Sequence, residues 1–346
     1  MKRMLQLAFF VCLISLLSIP AVVEGQTDPA TCVPFQQQAF SSFSNACGDT
    51  EFGEVCYGFN SVDAFTEEDN ALVPIEDFVP GEEIPIETVD ALSTGGYSPT
   101  NSIWGLSLIE LDAFEAAGGV LEPNLRYIMF GDAEITNVDE PVAEGFEQLQ
   151  SFTFQTTNTT PFCSDAPSNV LVQTDCSADT EPRDFRVEGV DMTLDGTAIF
   201  VGGAERGLIQ VFVIYGVLII QPDRNLDGVV EQREQTQQIV VPAGFGTTAP
   251  INSVEPLDSD SHVGQWSPIG PTLNNQLALL DYVEAIPQNL SYCPLETPLV
   301  RQSSGAGGTR TELRYLSSAA LEALIPYCTV PNAPDFCDIY ANAPWP

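Results

Sequence analysis

FRVEGVDMTLDGTAIFVGGAERGLIQVFVIYGVLII, residues 185–220, reads as a run of strands broken by glycine. Residues 185–194, 197–201 and 209–220 each carry the apolar, β-branched character of a chain that pairs in a sheet. The most apolar piece, 211–220, has half the length of a membrane-spanning helix and is rich in Val and Ile, so a buried strand explains it. Working outward, residues 152–156, 169–174 and 238–241 read the same way, separated by Gly, Pro, Asp and Asn clusters. Short strands with such turns between them predict a mainly β protein with a sandwich or barrel-like β core.

Upstream, residues 61–94 are acidic, punctuated by proline and carry short β-type pieces. Alternation at Trp104, Leu106 and Leu108 predicts a strand, and residues 125–135 predict another with a turn near Gly131 and Asp132. Residues 26–60 are cysteine-rich and show few strong periodic signals. Downstream, residues 273–285 and 311–324 have helical patterning, with Glu312 in a first turn, and 303–308 (SSGAGG) reads as a flexible loop between them. The expected organisation is a signal peptide over 1–25, a cysteine-containing β region over 26–150, a β domain over 151–250 and a small helical, disulfide-bonded C-terminal region over 251–346.

Lys2 and Arg3 head an apolar run that ends at Pro20, and Val23 and Gly25 fit the small pockets of a signal peptidase. Cleavage after Gly25 and an exported, extracellular or cell-surface location are therefore expected. Cys12 lies inside the apolar run, without a lipid-attachment context. The formal net charge is −37, and the leader holds the only lysine. Such a surface repels nucleic acid and anionic lipid, attracts divalent cations, and leaves room for a protein or cell-surface partner. Hydrophobic residues make up 44% of the chain, enough for a packed core rather than disorder.

After the leader, the cysteines are Cys32, Cys47, Cys56, Cys163, Cys176, Cys293, Cys328 and Cys337. An even number in an exported chain, with no C-x-x-C pair, reads as disulfides. Local pairs are expected at Cys47–Cys56, Cys163–Cys176 and Cys328–Cys337. Cys32–Cys293 is then the bridge that closes the chain.

One run carries metal chemistry. Residues 223–234 read DRNLDGVVEQRE, matching D-x-[DN]-x-[DN]-G-x5-E. Asp223, Asn225 and Asp227 present oxygens at alternate positions, Gly228 permits the sharp turn, and Val229 offers its backbone carbonyl. Glu231 would act through water and Glu234 would reach back with both oxygens. The expected cofactor is Ca²⁺. Pro222 and the strand before it leave no incoming helix, so the loop reads as a clip between strands rather than a helix-opening switch.

Catalytic patterns do not emerge. His262 is the only histidine, there is no G-x-S-x-G elbow, and neither a P-loop nor a dinucleotide fingerprint occurs. Paired carboxylates such as Asp132 and Glu134 carry little meaning in a chain with 48 acidic residues. The expectation is a non-enzymatic protein. Asn158 and Asn289 begin glycosylation sequons.

Several segments together carry a family likeness: Ala46-Cys47, Cys56-Tyr57-Gly58, Trp104 to Leu108, Phe130 to Ile135, Gln150 to Phe154 and Cys163 to Pro167. They resemble uncharacterised exported bacterial proteins. Residues 187–250 resemble a FecR-type β domain in Gly196 to Phe200, Tyr215-Gly216-Val217 and Val241 to Gly244. The resemblance implies β architecture and export, and it allows an envelope sensor as the alternative function. The chain lacks the inner-membrane helix and anti-sigma region of a transmembrane regulator, and the calcium-type loop looks like an insertion.

Overall fold

The computed structural model describes residues 32–98, 101–112, 124–138, 146–157, 168–175, 182–203, 207–221, 239–251 and 285–293. Short pieces at 115–116, 120–121, 267, 270–271, 283, 295, 300–305 and 308–313 complete it. In chain order the elements are α1 (Cys32–Cys47), β1 (Glu54–Phe59), β2 (Val62–Glu68), β3 (Ala71–Pro74), β4 (Glu83–Pro85) and β5 (Ala91–Thr94). Then come β6 (Leu106–Leu111), β7 (Glu115–Ala116), β8 (Val120–Leu121), β9 (Leu125–Phe130), β10 (Ala133–Asn137), β11 (Ser151–Thr156) and β12 (Asn169–Thr174). The rest are β13 (Arg183–Val187), β14 (Val190–Gly203), β15 (Leu208–Gln221), β16 (Ile239–Pro242), β17 (Phe245–Pro250), β18 (Gly270–Pro271), β19 (Val300–Gly305) and β20 (Gly308–Leu313). The protein is mainly β, as the residue pattern predicts.

One 16-stranded sheet contains most of these strands, in the order β3-β2-β5-β10-β11-β13-β14-β12-β9-β6-β1-β4, with β15 to β18 continuing from β14. Only Asn60 and Ser61 separate β1 from β2, although the two strands lie near opposite ends of that path. Likewise Gly131 and Asp132 alone join β9 to β10, which pair with different neighbours. Connections this short force the sheet to curl back on itself as a half-barrel. A chain of backbone bonds stitches the corner: Gly95 donates to Ser61 at 2.7 Å, Gly105 to Gly95 at 2.7 Å and Gly131 to Gly105 at 3.0 Å. A Cβ on Gly105 would strike the Gly95 nitrogen and the Ser61 carbonyl, so only glycine allows the approach.

Both faces of the central strands are buried. Ile109, Tyr127, Val172 and Phe200 point into the inner core, which also takes Phe152, Phe185 and Phe245. Leu108, Ile128, Leu171 and Ile199, one residue away on each strand, join a second cluster on the outer face. Helix α1 covers that outer face with Ala39, Phe40 and Phe43, and Phe40 meets Trp104 edge-on at 5.3 Å between ring centres. The Cys47–Cys56 disulfide ties the end of α1 to β1.

β14 and β15 form the long spine of the sheet, and a bulge breaks their register at Thr197 and Ala198. Before the bulge Val211 and Val213 face the inner core, and after it Leu218 and Ile220 do. The extra residue shifts the period-two alternation by one, which keeps apolar side chains inside as the spine bends. Gly216 has φ +72°, and a Cβ there would collide with the Asp195 carbonyl oxygen.

Three local readings differ from the structure. The stretch 185–194 is a hairpin, not one strand: Glu188 (φ 52°) and Gly189 (φ 75°) both turn left-handed between β13 and β14. Residues 32–47 are helical, where little periodicity was expected. At the C-terminal side, 300–305 and 308–313 pair as an antiparallel hairpin, so Ser303 to Gly305 and Gly308, read as a flexible loop, and Thr311 to Leu313, read as the start of a helix, are strand. Thr309 and Thr311 are β-branched and the glycines Gly305 and Gly308 close the hairpin, which favours pairing over helix. Residues 314–324 lie outside the described residues, as does most of 273–285, of which Val283 is helical. Strand pairs β10–β11 and β9–β12 both span residue 150, the division read between the first two β regions.

Candidate functional site

The DRNLDGVVEQRE run, with Asp223, Asn225, Asp227, Val229, Glu231 and Glu234, lies outside the described residues. Its two flanks are described. β15 ends at Gln221, β16 begins at Ile239, and the strands pair antiparallel with Ile220 opposite Ile239 and Ile219 opposite Val240. Ile220 and Val241 are buried in the inner core, while Ile219, Ile239 and Val240 pack against it. The run therefore sits in the connection of a hairpin, and the chain enters and leaves that connection from neighbouring strands. No helix precedes it. The expected strand up to Ile220 is present, and a local incoming helix of the EF-hand kind is replaced by the spine of the sheet.

Elsewhere the charged groups inside the fold are engaged in holding it. Glu110 on β6 and Arg126 on β9 face each other across the strand pair and form a buried ion pair, with Glu110 0% exposed. Tyr292 lies over the pair: its hydroxyl donates to Glu110, and the Arg126 guanidinium carbon is 3.8 Å from its ring centre. Burial pushes the Glu110 carboxyl up, against the opposing pull of Arg126 and Tyr292. Arg183, fully buried, has Glu147 at 3.6 Å. Tyr127 donates to the Leu149 carbonyl at 3.0 Å, and burial pushes its phenol well above the ordinary range. Asp90 accepts from the Glu67 amide at 2.5 Å and from Gln148 at 3.0 Å, so it ties three segments together.

Among the described residues no group of three or more His, Cys, Asp or Glu is arranged to hold a metal ion. Asp132 lies in the β9–β10 turn and binds Thr157, whereas Glu134 is exposed on β10. His262 and Asn158 lie outside the described residues. The Asn289 amide of the second sequon is used internally, donating to the Ser44 carbonyl at 3.2 Å and accepting the Ser44 hydroxyl at 2.7 Å.

Of the disulfide readings, Cys47–Cys56 is formed. Cys293 is also disulfide-bonded. Cys163, Cys176, Cys328 and Cys337 are outside the described residues. The Glu110–Arg126–Tyr292 cluster was not visible in the sequence, because nothing local links Tyr292 to strands so far upstream.

The chain matches no protein-family model, no curated protein and no solved structure. No helix among the described residues is long and apolar enough to cross a membrane.

Proposed function

We propose that this is an exported, non-enzymatic binding or cell-surface structural protein in which calcium stiffens the β15–β16 connection. The observation that supports the reading is the pairing of Ile220 with Ile239, which sets side by side the two strands that flank the connection containing the oxygen-rich run. A calcium loop needs its first and last ligands close together, and a connection between paired strands suits that need. Asp223, Asn225 and Asp227 would supply side-chain oxygens, Val229 a carbonyl, Glu231 a water-mediated contact and Glu234 a bidentate carboxylate. The ion would neutralise carboxylates that otherwise repel one another in a strongly acidic chain. A structural clip of this kind outside the cell needs an affinity of only about 10⁻⁴ to 10⁻³ M.

Calorimetric titration of the oxidised protein with CaCl₂, beside Asp223→Ala and Glu234→Ala, tests this. One binding event lost in both variants supports the clip. No heat at millimolar calcium overturns it. Fractionation addresses location: release to the medium or surface matrix supports the structural reading, whereas envelope retention with a regulatory partner favours a FecR-like sensor. Turnover of a polysaccharide or peptide, lost on replacing one carboxylate, would instead establish a hydrolase.

A further inference from the structure

Residues 285–293 cross the outer face of the sheet without joining it as a strand. Three polar contacts and two apolar side chains hold them. Asn289 bonds Ser44 at the end of α1, Ser291 accepts from Gln173 on β12 at 2.8 Å, and Tyr292 covers the Glu110–Arg126 pair on β6 and β9. Ile286 and Leu290 insert into the outer apolar cluster. Within the segment, Leu290 donates to Pro287 at 3.0 Å and Ser291 to Gln288 at 3.2 Å, so it has a turn of its own.

We propose that residues 285–293 form a strap, latched by Tyr292 on the Glu110–Arg126 pair, that opens as a unit while the sheet stays folded. The spine strands β14 and β15 are paired along their whole lengths, so releasing them unravels the core. The strap breaks no strand pairing when it lifts, and its free energy of opening lies below that of global unfolding. Tyr292 is the latch because its ring and hydroxyl act together. The ring lies over a guanidinium from which water is largely excluded, and the hydroxyl satisfies a buried carboxylate. Cys293, at the end of the strap, is disulfide-bonded.

Amide hydrogen exchange on the full, oxidised chain tests the strap, with the Leu290 and Ser291 amides read against those of β14 and β15. In the wild type the strap amides are expected to exchange faster than the spine. Tyr292→Ala is expected to speed them a further tenfold, roughly, with the spine unchanged. Tyr292→Phe, which keeps the ring over Arg126, is expected to give a smaller increase. If Tyr292→Ala does not fold, the wild-type comparison decides alone. Strap and spine amides exchanging at one common rate overturns the proposal, as does an equal acceleration of both in a variant.

Discussion

The Glu188 carboxylate, on a residue only 5% exposed, accepts the Phe154 amide proton at 2.9 Å. Glu188 occupies the β13–β14 turn, while Phe154 belongs to β11, which pairs with β13 through Phe152 and Val187 just before that turn. The side chain thus continues a ladder that the turn interrupts. Burial, partly offset by the Phe154 amide, raises the Glu188 pKa from 4.5 to about 7. The folded state therefore holds a proton that the unfolded state releases near its ordinary value. Stability contributed by protonated Glu188 is full below pH 4.5 and is lost as pH rises through about 7. Urea midpoints measured from pH 5 to 8 should fall across that window, by an amount equivalent to about 1–3 kcal/mol. Glu188→Gln should flatten the fall and leave the pH 8 protein more stable than the parent.

Gly105 and Gly81 should respond very differently to alanine. Gly105→Ala places a Cβ against backbone atoms of Gly95 and Ser61 at the corner of the sheet, where neither can yield alone. A loss of about 3 kcal/mol or more is expected, read as a lower urea midpoint. Gly81, with φ +85° and nothing within 4 Å of a Cβ, should cost only the left-handed backbone penalty, about 1 kcal/mol. Equal losses at the two positions would contradict the close approach at the corner.

The Cys47–Cys56 bridge closes a short loop with a sequence separation of 9. Replacing both cysteines by alanine should cost about 2–3 kcal/mol, chiefly by freeing the unfolded chain. Thermal unfolding of the double variant under non-reducing conditions measures it. Because Cys47 also lies in the outer apolar cluster, alanine there removes packing as well, and a loss smaller than 1 kcal/mol, roughly, would mean α1 holds its place without the bridge.

Arg126→Met should destabilise strongly, because Glu110 is left buried without its cation. About 3–5 kcal/mol is expected for breaking such a pair. Adding Glu110→Gln in the same protein should recover most of the loss, since no unpaired charge then remains inside. Chemical denaturation of the two single variants and the double variant closes the cycle, and simple additivity would show that the two side chains do not act as a pair.

Calcium should raise the melting temperature if the 223–234 run binds it. For a dissociation constant of about 10⁻⁴ to 10⁻³ M, 10 mM calcium adds about 1.4–2.7 kcal/mol. Scanning calorimetry with calcium and with a chelator reads this directly, and Glu234→Ala should abolish the difference.

The elements legible in the sequence are those with a local signal, either period-two alternation or a short apolar run. Residues 133–137 alternate, 125–130 are an apolar run buried on both faces, and the corner between them falls at Gly131 and Asp132 as their chemistry suggests. α1 was missed although Phe35, Ala39 and Phe43 recur every four residues. Gln, Ser and Asn fill many of its other positions, and no acidic residue in its first turn or basic residue in its last marks its ends. The hairpin at Glu188 and Gly189 is hard to read because glutamate is an unusual choice for a positive φ, and the only other mark is a one-residue shift in the alternation, from Phe185 and Val187 to Val190 and Met192.

Strand content, strong acidity, the cysteine inventory and the spacing of oxygen donors from Asp223 to Glu234 are properties of the chain read residue by residue. They follow from side-chain chemistry and short-range periodicity, and the sequence by itself determines them. The order of the strands, the curl that brings Gly95 and Gly105 to Ser61, and the meeting of Glu110, Arg126 and Tyr292 were decided only by the tertiary structure. Those features depend on which distant strands pair and where the chain returns across them. That choice is made by burying two apolar faces at once, and no local window of sequence contains it.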